Sequence, residues 1–341
     1  MNRPDEPGAY NEPQARAPVY PFSAVVGHAK AKEALLLAVI NPSVHGVLFL
    51  GPKGTGKTTL VRSLNSLLPQ RRIIELPIGS SEDMVLGAVD AEQTLATGKL
   101  SVRPGILARA DRAVLYIDEV NLLPDHLVDI ILDAAASGEY RLEREGLAAT
   151  YPARFVLTGS MNPEEGWLRP QLLDRFGLAV HFQGLGSVQE RARVLELQLA
   201  WSKSPEAFQE RHAEEEEQLR GRLSEAVERL PAVGVSQEIV HATIERVLEL
   251  GVSTSRVEIA ALQATRARAA WHGRSEVLWE DVGATLPLAL QHRLGEEETQ
   301  QPLTWEHLDR RIFEGRREDE RERAGWFPSP FYRKKKADRR G

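Results

Sequence analysis

Hydrophobic positions along this chain follow two rhythms, and the change from one to the other near Ser187 divides it. Before that point, short uninterrupted apolar runs alternate with helix-like segments, the first of them spanning Ala29 to Ile40. The runs lie at 46–50, 72–76, 113–117, 154–159 and 178–182. Strands buried on both faces read as such continuous runs, and helices between them are the crossovers of a parallel sheet. The spacing predicts an α/β unit with a five-stranded parallel sheet flanked by helices. Past Ser187 the strand signals end. Long charged segments with Leu and Ala at helical spacing, punctuated at Pro231, Gly234 and Gly251, predict an all-helical second unit.

Composition bounds this picture. The chain has 341 residues, 42% of them hydrophobic, enough for two domains with a sizeable core. With no cysteine, disulfides, thiolate zinc sites, iron–sulfur clusters and cysteine nucleophiles are excluded, which fits a reducing interior. The N-terminal segment lacks the apolar core of a secretory signal, and no run approaches a membrane span; the expectation is a soluble, cytoplasmic protein with no membrane partner. A net charge of −6 argues against a nucleic-acid-coating surface and leaves local basic patches open. The run from Ala213 to Arg220 reads as a solvated helix face rather than an acidic docking face. The basic stretch from Tyr332 to Arg340 reads as a disordered tail, with an anionic partner as the alternative.

Chemistry concentrates at three strand ends. Gly51-Pro52-Lys53-Gly54-Thr55-Gly56-Lys57-Thr58 follows the apolar run Val47–Leu50 and precedes a helix-like segment that begins at Thr59. That context makes it a P-loop: glycines let backbone N–H groups curl around a polyphosphate, Lys57 neutralises the outer phosphates, and the Thr58 hydroxyl can ligate Mg²⁺. The run Ala113–Ile117 ends in Asp118-Glu119, where a P-loop ATPase needs two carboxylates: Asp118 for the Mg²⁺ shell, Glu119 to polarise the attacking water. The next run leads to Asn162, placed to orient that water beside the γ-phosphate; an Asn-Pro turn is the plainer alternative. The order P-loop, Asp-Glu, Asn is that of an additional-strand ATPase core.

An arginine-bearing segment, Leu168 to Gly177, precedes the last run. Within one subunit these arginines would point away from their own nucleotide, so their use as charge stabilisers implies a neighbour and a homo-oligomeric ring. Arg175 is the candidate trans-acting finger, with Arg169 nearby; the alternative is Arg175 paired with Asp174 on the surface. Arg256 starts a helix of the second unit and is a candidate to reach across to the γ-phosphate and report its loss.

The set GPKGTGKT, LYIDEVNLL, GSMNPEEGWLRPQLLDRFG and STSRVEIAAL resembles the AAA+ ATPase subunit, subunit I, of the magnesium chelatase family, from Tyr20 to about Leu294. The resemblance implies an AAA+ P-loop core with a C-terminal all-helical lid: a leader over 1–19, the nucleotide-binding domain over 20–186, helical linker and lid over 187–320, and a basic tail over 321–341. It implies ATP and Mg²⁺ as cofactors, with Val26, Gly27, Gly51–Thr59, Asp118 and Arg256 binding nucleotide and Thr58 and Asp118 holding the metal. Lys57, Asp118, Glu119, Asn162, Arg175 and Arg256 stand at the positions of P-loop, Walker B, first-sensor, finger and second-sensor residues. It further implies a ring, hexameric in form, a von Willebrand A-domain AAA+ partner and a large tetrapyrrole-binding subunit, acting together in Mg²⁺ or Co²⁺ insertion.

Some features differ from or extend that pattern. Only Pro69 to Arg72 separate the P-loop helix from Ile73, where photosynthetic members carry a long polar insertion. Residues 86–110 resemble the helix-interrupting insert of chelatase, MoxR-type and helicase AAA+ proteins, and 138–152 a β-hairpin before the sensor strand; both are candidates for substrate contact in a ring pore or for subunit packing. A MoxR-like chaperone working with a von Willebrand A partner therefore stays as the alternative function. A DNA-acting motor ranks below both, because Arg141 and Arg144 of the hairpin are balanced by Glu139, Glu143 and Glu145.

Overall fold

The computed structural model describes residues 18–98, 101–144, 147–294 and 302–308; the tail and all of the expected leader except Pro18 and Val19 lie outside them. Helix α1 (Ala29–Ile40) leads to β1 (Val47–Leu50), the P-loop, α2 (Lys57–Leu67) and β2 (Ile73–Leu76). An insert of short pieces follows: α3 (Glu82–Leu86), β3 (Gly87–Val89), α4 (Ala91–Thr97), β4 (Val102–Pro104) and α5 (Ile106–Arg109). Then come β5 (Val114–Ile117), α6 (Asp125–Ser137), the hairpin β6 (Glu139–Arg144) and β7 (Leu147–Pro152), β8 (Val156–Met161), α7 (Pro170–Leu173) and β9 (Leu178–His181). Five helices follow, α8 (Val188–Lys203), α9 (Pro205–Arg229), α10 (Gln237–Glu249), α11 (Ser255–Trp271) and α12 (Trp279–Leu290), and a short helical piece at 305–308 ends the described residues. Among the described residues no helix is long and apolar enough to cross a membrane.

The core sheet is parallel throughout, in the order β2-β5-β8-β1-β9. All residues of β1, β5 and β8 are buried, which is why these strands read as unbroken apolar runs. On the edge, β2 leaves Glu75 exposed and ties it to Arg62 of α2 through two hydrogen bonds. Because β8 lies between β1 and β5, three strand ends meet at one edge. Leu50 is level with Met161 and Ile117 with Gly159, so the P-loop, Asp118-Glu119 and Ser160–Asn162 emerge side by side. This is the crevice beyond the carboxyl ends of a parallel sheet where ligands bind in open α/β folds.

The helical part is not a separate body. One apolar core runs from β1, α1 and α2 into α9, α10, α11 and α12, and α1 is buried from Ala34 to Ile40 because it lies between the sheet and α11. Six buried alanines on α11, among them Ala260, Ala264 and Ala267, leave room for neighbouring helices to approach closely. The acidic stretch of α9 departs from a purely solvated face: Glu216 is buried and accepts a hydrogen bond from Ser23 N at 2.6 Å, while Glu214, Glu215 and Glu217 are exposed.

One buried charge organises the helical part. Asp281 is fully buried and meets Arg268 and Arg274 at 2.6 Å, and it accepts from Leu278 N at 2.9 Å. Burial alone would raise its pKa, but the hydrogen bonds from Arg274, Leu278 N–H and Arg268 outweigh burial and hold the carboxyl below its usual range. A depressed carboxylate pKa contributes stability above the unfolded-state pKa, lost as pH falls through the folded one. Asp281→Ala should therefore cost about 3 kcal/mol at neutral pH, since it takes the buried carboxylate from two partly buried guanidiniums and leaves Arg268 to Glu33 and Arg274 to Glu280. In thermal melts the gap between wild type and variant should narrow below about pH 4; a gap that stays constant with pH would remove the charge from the explanation.

Candidate active site

The P-loop leaves β1 at Gly51, whose N–H donates to Met161 O at 3.0 Å. A Cβ at position 51 would lie 2.1 Å from Phe182 O, so only glycine passes here. Gly54 and Gly56 take left-handed backbone angles (φ 77° and 98°) with open space around them; conformation rather than room demands glycine at both. The helix then starts at Lys57, so the loop amides and the positive end of α2 face one cavity of about 320 Å³, lined by Lys53–Thr59, Asp118, Glu119 and Asn162.

Lys57 is buried and its Nζ donates to Gly51 O at 2.6 Å and Pro52 O at 2.7 Å. Burial lowers its pKa, opposed by the charges of Asp118, Glu119 and Glu165. Thr58 Oγ1 stands 3.4 Å from Asp118 Oδ2. Asp118 Oδ1 accepts from Tyr116 OH at 2.9 Å and from Ser160 Oγ at 2.5 Å. Tyr116 OH is also 3.2 Å from Thr58 Oγ1, and burial raises its pKa, which keeps the phenol protonated as a donor. A hydroxyl and a carboxylate converging at a polyphosphate-sized cavity are the hard oxygen donors that suit Mg²⁺. The residues present thus fit ATP with Mg²⁺.

Glu119 follows Asp118 in a left-handed conformation (φ 54°, ψ 56°), a cost of ~1–2 kcal/mol for a residue with a Cβ. Its N–H donates to Ser160 Oγ at 3.1 Å, and its carboxylate lies 3.0 Å from Lys53 Nζ, which also meets Glu165 at 2.7 Å. Asn162 is buried at the end of β8, its Oδ1 accepting from Glu164 N at 3.3 Å. Val26 and Gly27 are outside the residues lining this cavity. The next residue, His28, stacks on Phe182 at 3.9 Å and lies beside the Thr55 backbone, and burial holds its ring below the usual histidine range.

The arginines are elsewhere. Arg175 pairs with Asp133 and, at 3.2 Å, with Asp129, both on α6, rather than with Asp174. Arg169 pairs with Asp125 of the same helix at 2.5 Å; the three aspartates are spaced by four and share one face. Arg256 meets Asp174 at 2.8 Å. Arg175 and Arg256 line a second cavity of about 140 Å³ with His45, Asp133 and Arg293, separate from the P-loop cavity. Within one chain, then, Arg256 stands away from the P-loop cavity: packing of α11 along α1 carries the start of α11 to the side of the molecule that bears Arg175.

Three participants escaped the sequence reading. Tyr116 was legible, since it stands two residues before Asp118 on a strand and so shares its face. Ser160, bonded to both carboxylate-bearing residues, lies within the GSMN segment already singled out. Glu165 enters through its contact with Lys53 and its charge near Lys57, neither of which a local pattern signals.

A parallel sheet with an inserted strand, a P-loop, paired carboxylates at the adjacent strand end and a helical lid define an AAA+ ATPase, which uses ATP with Mg²⁺. Residues 46–176 match the AAA domain of the dynein-related subfamily, and residues 241–312 match the AAA lid domain. A magnesium-chelatase subunit ChlI homolog of Methanocaldococcus jannaschii is 40% identical over 89% of this chain and 93% of its own length. The magnesium-chelatase 38 kDa subunit of Acidiphilium rubrum is 41% identical over 86% and 96%. A crystal structure of a Cytophaga hutchinsonii protein assigned as an ATPase shares the fold, with TM-score 0.63 and 18% identity over 86% of this chain and 92% of that one. The chain belongs to the magnesium-chelatase subunit I (ChlI) family.

Proposed function

We propose that this chain is the ATP-hydrolysing ring subunit of a magnesium- or cobalt-chelatase-type complex that drives metal insertion into a tetrapyrrole. The separation of the arginines from the P-loop cavity carries the reading. One chain holds the phosphate-binding loop and both carboxylates in one cavity and keeps Arg175 and Arg256 in another. In this reading a second copy brings these arginines to the γ-phosphate, and repetition of that head-to-tail contact, where the rotation closes, gives a ring, taken here as six copies. Membership of the subunit I family supports the rest of the assembly: a von Willebrand A-domain AAA+ partner and a large subunit that holds the tetrapyrrole, in the cytoplasm. The metal inserted is a substrate carried by another subunit.

In this reading the loop amides and Lys57 hold the β- and γ-phosphates. Thr58 and Asp118 would hold Mg²⁺, which when bound supplies charge neutralisation on those phosphates. Tyr116 and Ser160 fix the Asp118 carboxylate. Glu119 accepts a hydrogen bond from the attacking water and takes its proton as the water oxygen adds to the γ-phosphorus and the bond to the bridging oxygen breaks, leaving ADP and phosphate. Asn162 orients the same water from the neighbouring strand. Arg175 of the adjacent copy stabilises the spreading charge, and its Arg256 senses the loss of that charge and moves the lid.

The test is capture of partners by the Glu119→Gln chain held in ATP, with bound proteins identified by mass spectrometry. A von Willebrand A subunit recovered together with a large tetrapyrrole-binding subunit is the expected result. A von Willebrand A protein recovered with a different metalloenzyme would replace this reading by that of a MoxR-like chaperone.

A further inference from the structure

The turn that carries Arg175 is held from both sides by groups that do not touch Arg175 itself. On one side, Gly177 packs so closely on the segment before β1 that a Cβ there would lie 1.5 Å from Val44 O, and its N–H donates to His45 O at 3.1 Å. On the other side stands Arg293, just past the end of α12, with a side chain only 3% exposed. Its Nε donates to Asp174 Oδ1 at 2.9 Å, its Nη2 to Asp174 O at 2.6 Å and Phe176 O at 2.8 Å, and its Nη1 to Gly177 O at 3.1 Å and Ala289 O at 2.5 Å. His292 Nε2 adds a bond to Phe176 O at 2.8 Å. The carbonyls on either side of Arg175 are thus gripped by one planar fork, while the other oxygen of Asp174 is taken by Arg256 and Thr254.

We propose that Arg293 is a positioning residue for Arg175: its guanidinium fixes the 174–177 turn, sets the reach of Arg175 into the P-loop cavity of the next copy, and ties that reach to the position of α12. The assignment rests on the shared-site reading given above. It needs arginine specifically, because five donors in a rigid plane can serve several carbonyls and a carboxylate at once, whereas the lysine ammonium is a point charge with three donors. It also gives α12 a mechanical role: a shift of the lid in one copy would displace the finger that serves its neighbour's nucleotide.

The test uses full-length chains assembled in ATP and Mg²⁺. Arg293→Lys should lower kcat by about 10²-fold, the scale of a displacement near 1 Å in a catalytic group, with KM for ATP unchanged because the P-loop is untouched. The defect should belong to the finger side. Mixing Arg293→Lys chains with Lys57→Ala chains, which offer an intact finger, should restore turnover; mixing them with Arg175→Ala chains should not. A purely structural role would lower both measures of activity and would not respond to which partner is added. His292→Leu, which removes only the bond to Phe176, should show a smaller defect of the same finger-side class and keeps the test open if Arg293→Lys does not fold. Unchanged kcat in both variants, or a loss that Lys57→Ala chains fail to relieve while they do relieve Arg175→Ala, overturns the assignment. If Arg175→Ala itself is not relieved, the shared site fails, and this assignment with it.

Discussion

Glu119→Gln should bind ATP as tightly as the parent chain while hydrolysis falls by about 10²- to 10⁴-fold, the usual worth of a positioned base. The amide keeps the size of the side chain and removes the proton acceptor. Backbone geometry should survive the change, because the left-handed conformation at 119 is held by the bond from its N–H to Ser160 Oγ and not by the carboxylate. Lys53 would then be left to Glu165 alone, so its salt bridge persists in half. Equilibrium binding of a fluorescent ATP analogue together with single-turnover hydrolysis separates the two effects. Turnover equal to the parent's would remove Glu119 from the chemistry; lost binding would make it a structural part of the loop.

Arg175→Ala should lower kcat by about 10³-fold or more, the range for an arginine finger supplied by a neighbour, again without weakening ATP binding. Within one chain Arg175 stands outside the P-loop cavity and bridges Asp129 and Asp133 on α6. Those pairs are half exposed or more on the aspartate side, so losing them costs little stability. A large catalytic effect with a small change in melting temperature therefore separates the finger from the ion pair. A variant that hydrolyses ATP at the parent rate would leave Arg175 a surface charge.

How much of this was legible in the sequence depends on the range over which each feature is set. The P-loop, the Asp118-Glu119 pair and Asn162 are local patterns at the ends of apolar runs, and a parallel sheet buried on both faces forces those runs to be unbroken. Their convergence follows from strand order alone. Tyr116 obeys the two-residue period of a strand, and the aspartates at 125, 129 and 133 obey the four-residue spacing of a helix face, so both signals were present. The place of Arg256 beside Arg175 had no local signal, because it depends on how α11 packs against α1, a contact between residues more than two hundred apart. Arg293 left no signal at all: its partners are mostly backbone carbonyls, which every sequence supplies. Glu216 read as one of a solvated run because its burial and its bond from Ser23 N, far away in sequence, cannot be seen in a string of glutamates.

The central claim is that each nucleotide is served by two copies of this chain. The most direct measurement mixes Lys57→Ala chains, which lack a working P-loop, with Arg175→Ala chains, which lack a working finger, and follows phosphate release. Random assembly at equal amounts should place an intact P-loop opposite an intact finger at roughly a quarter of the interfaces, so the mixture should hydrolyse ATP although neither variant does so alone. A mixture as inactive as its two components would contradict the account.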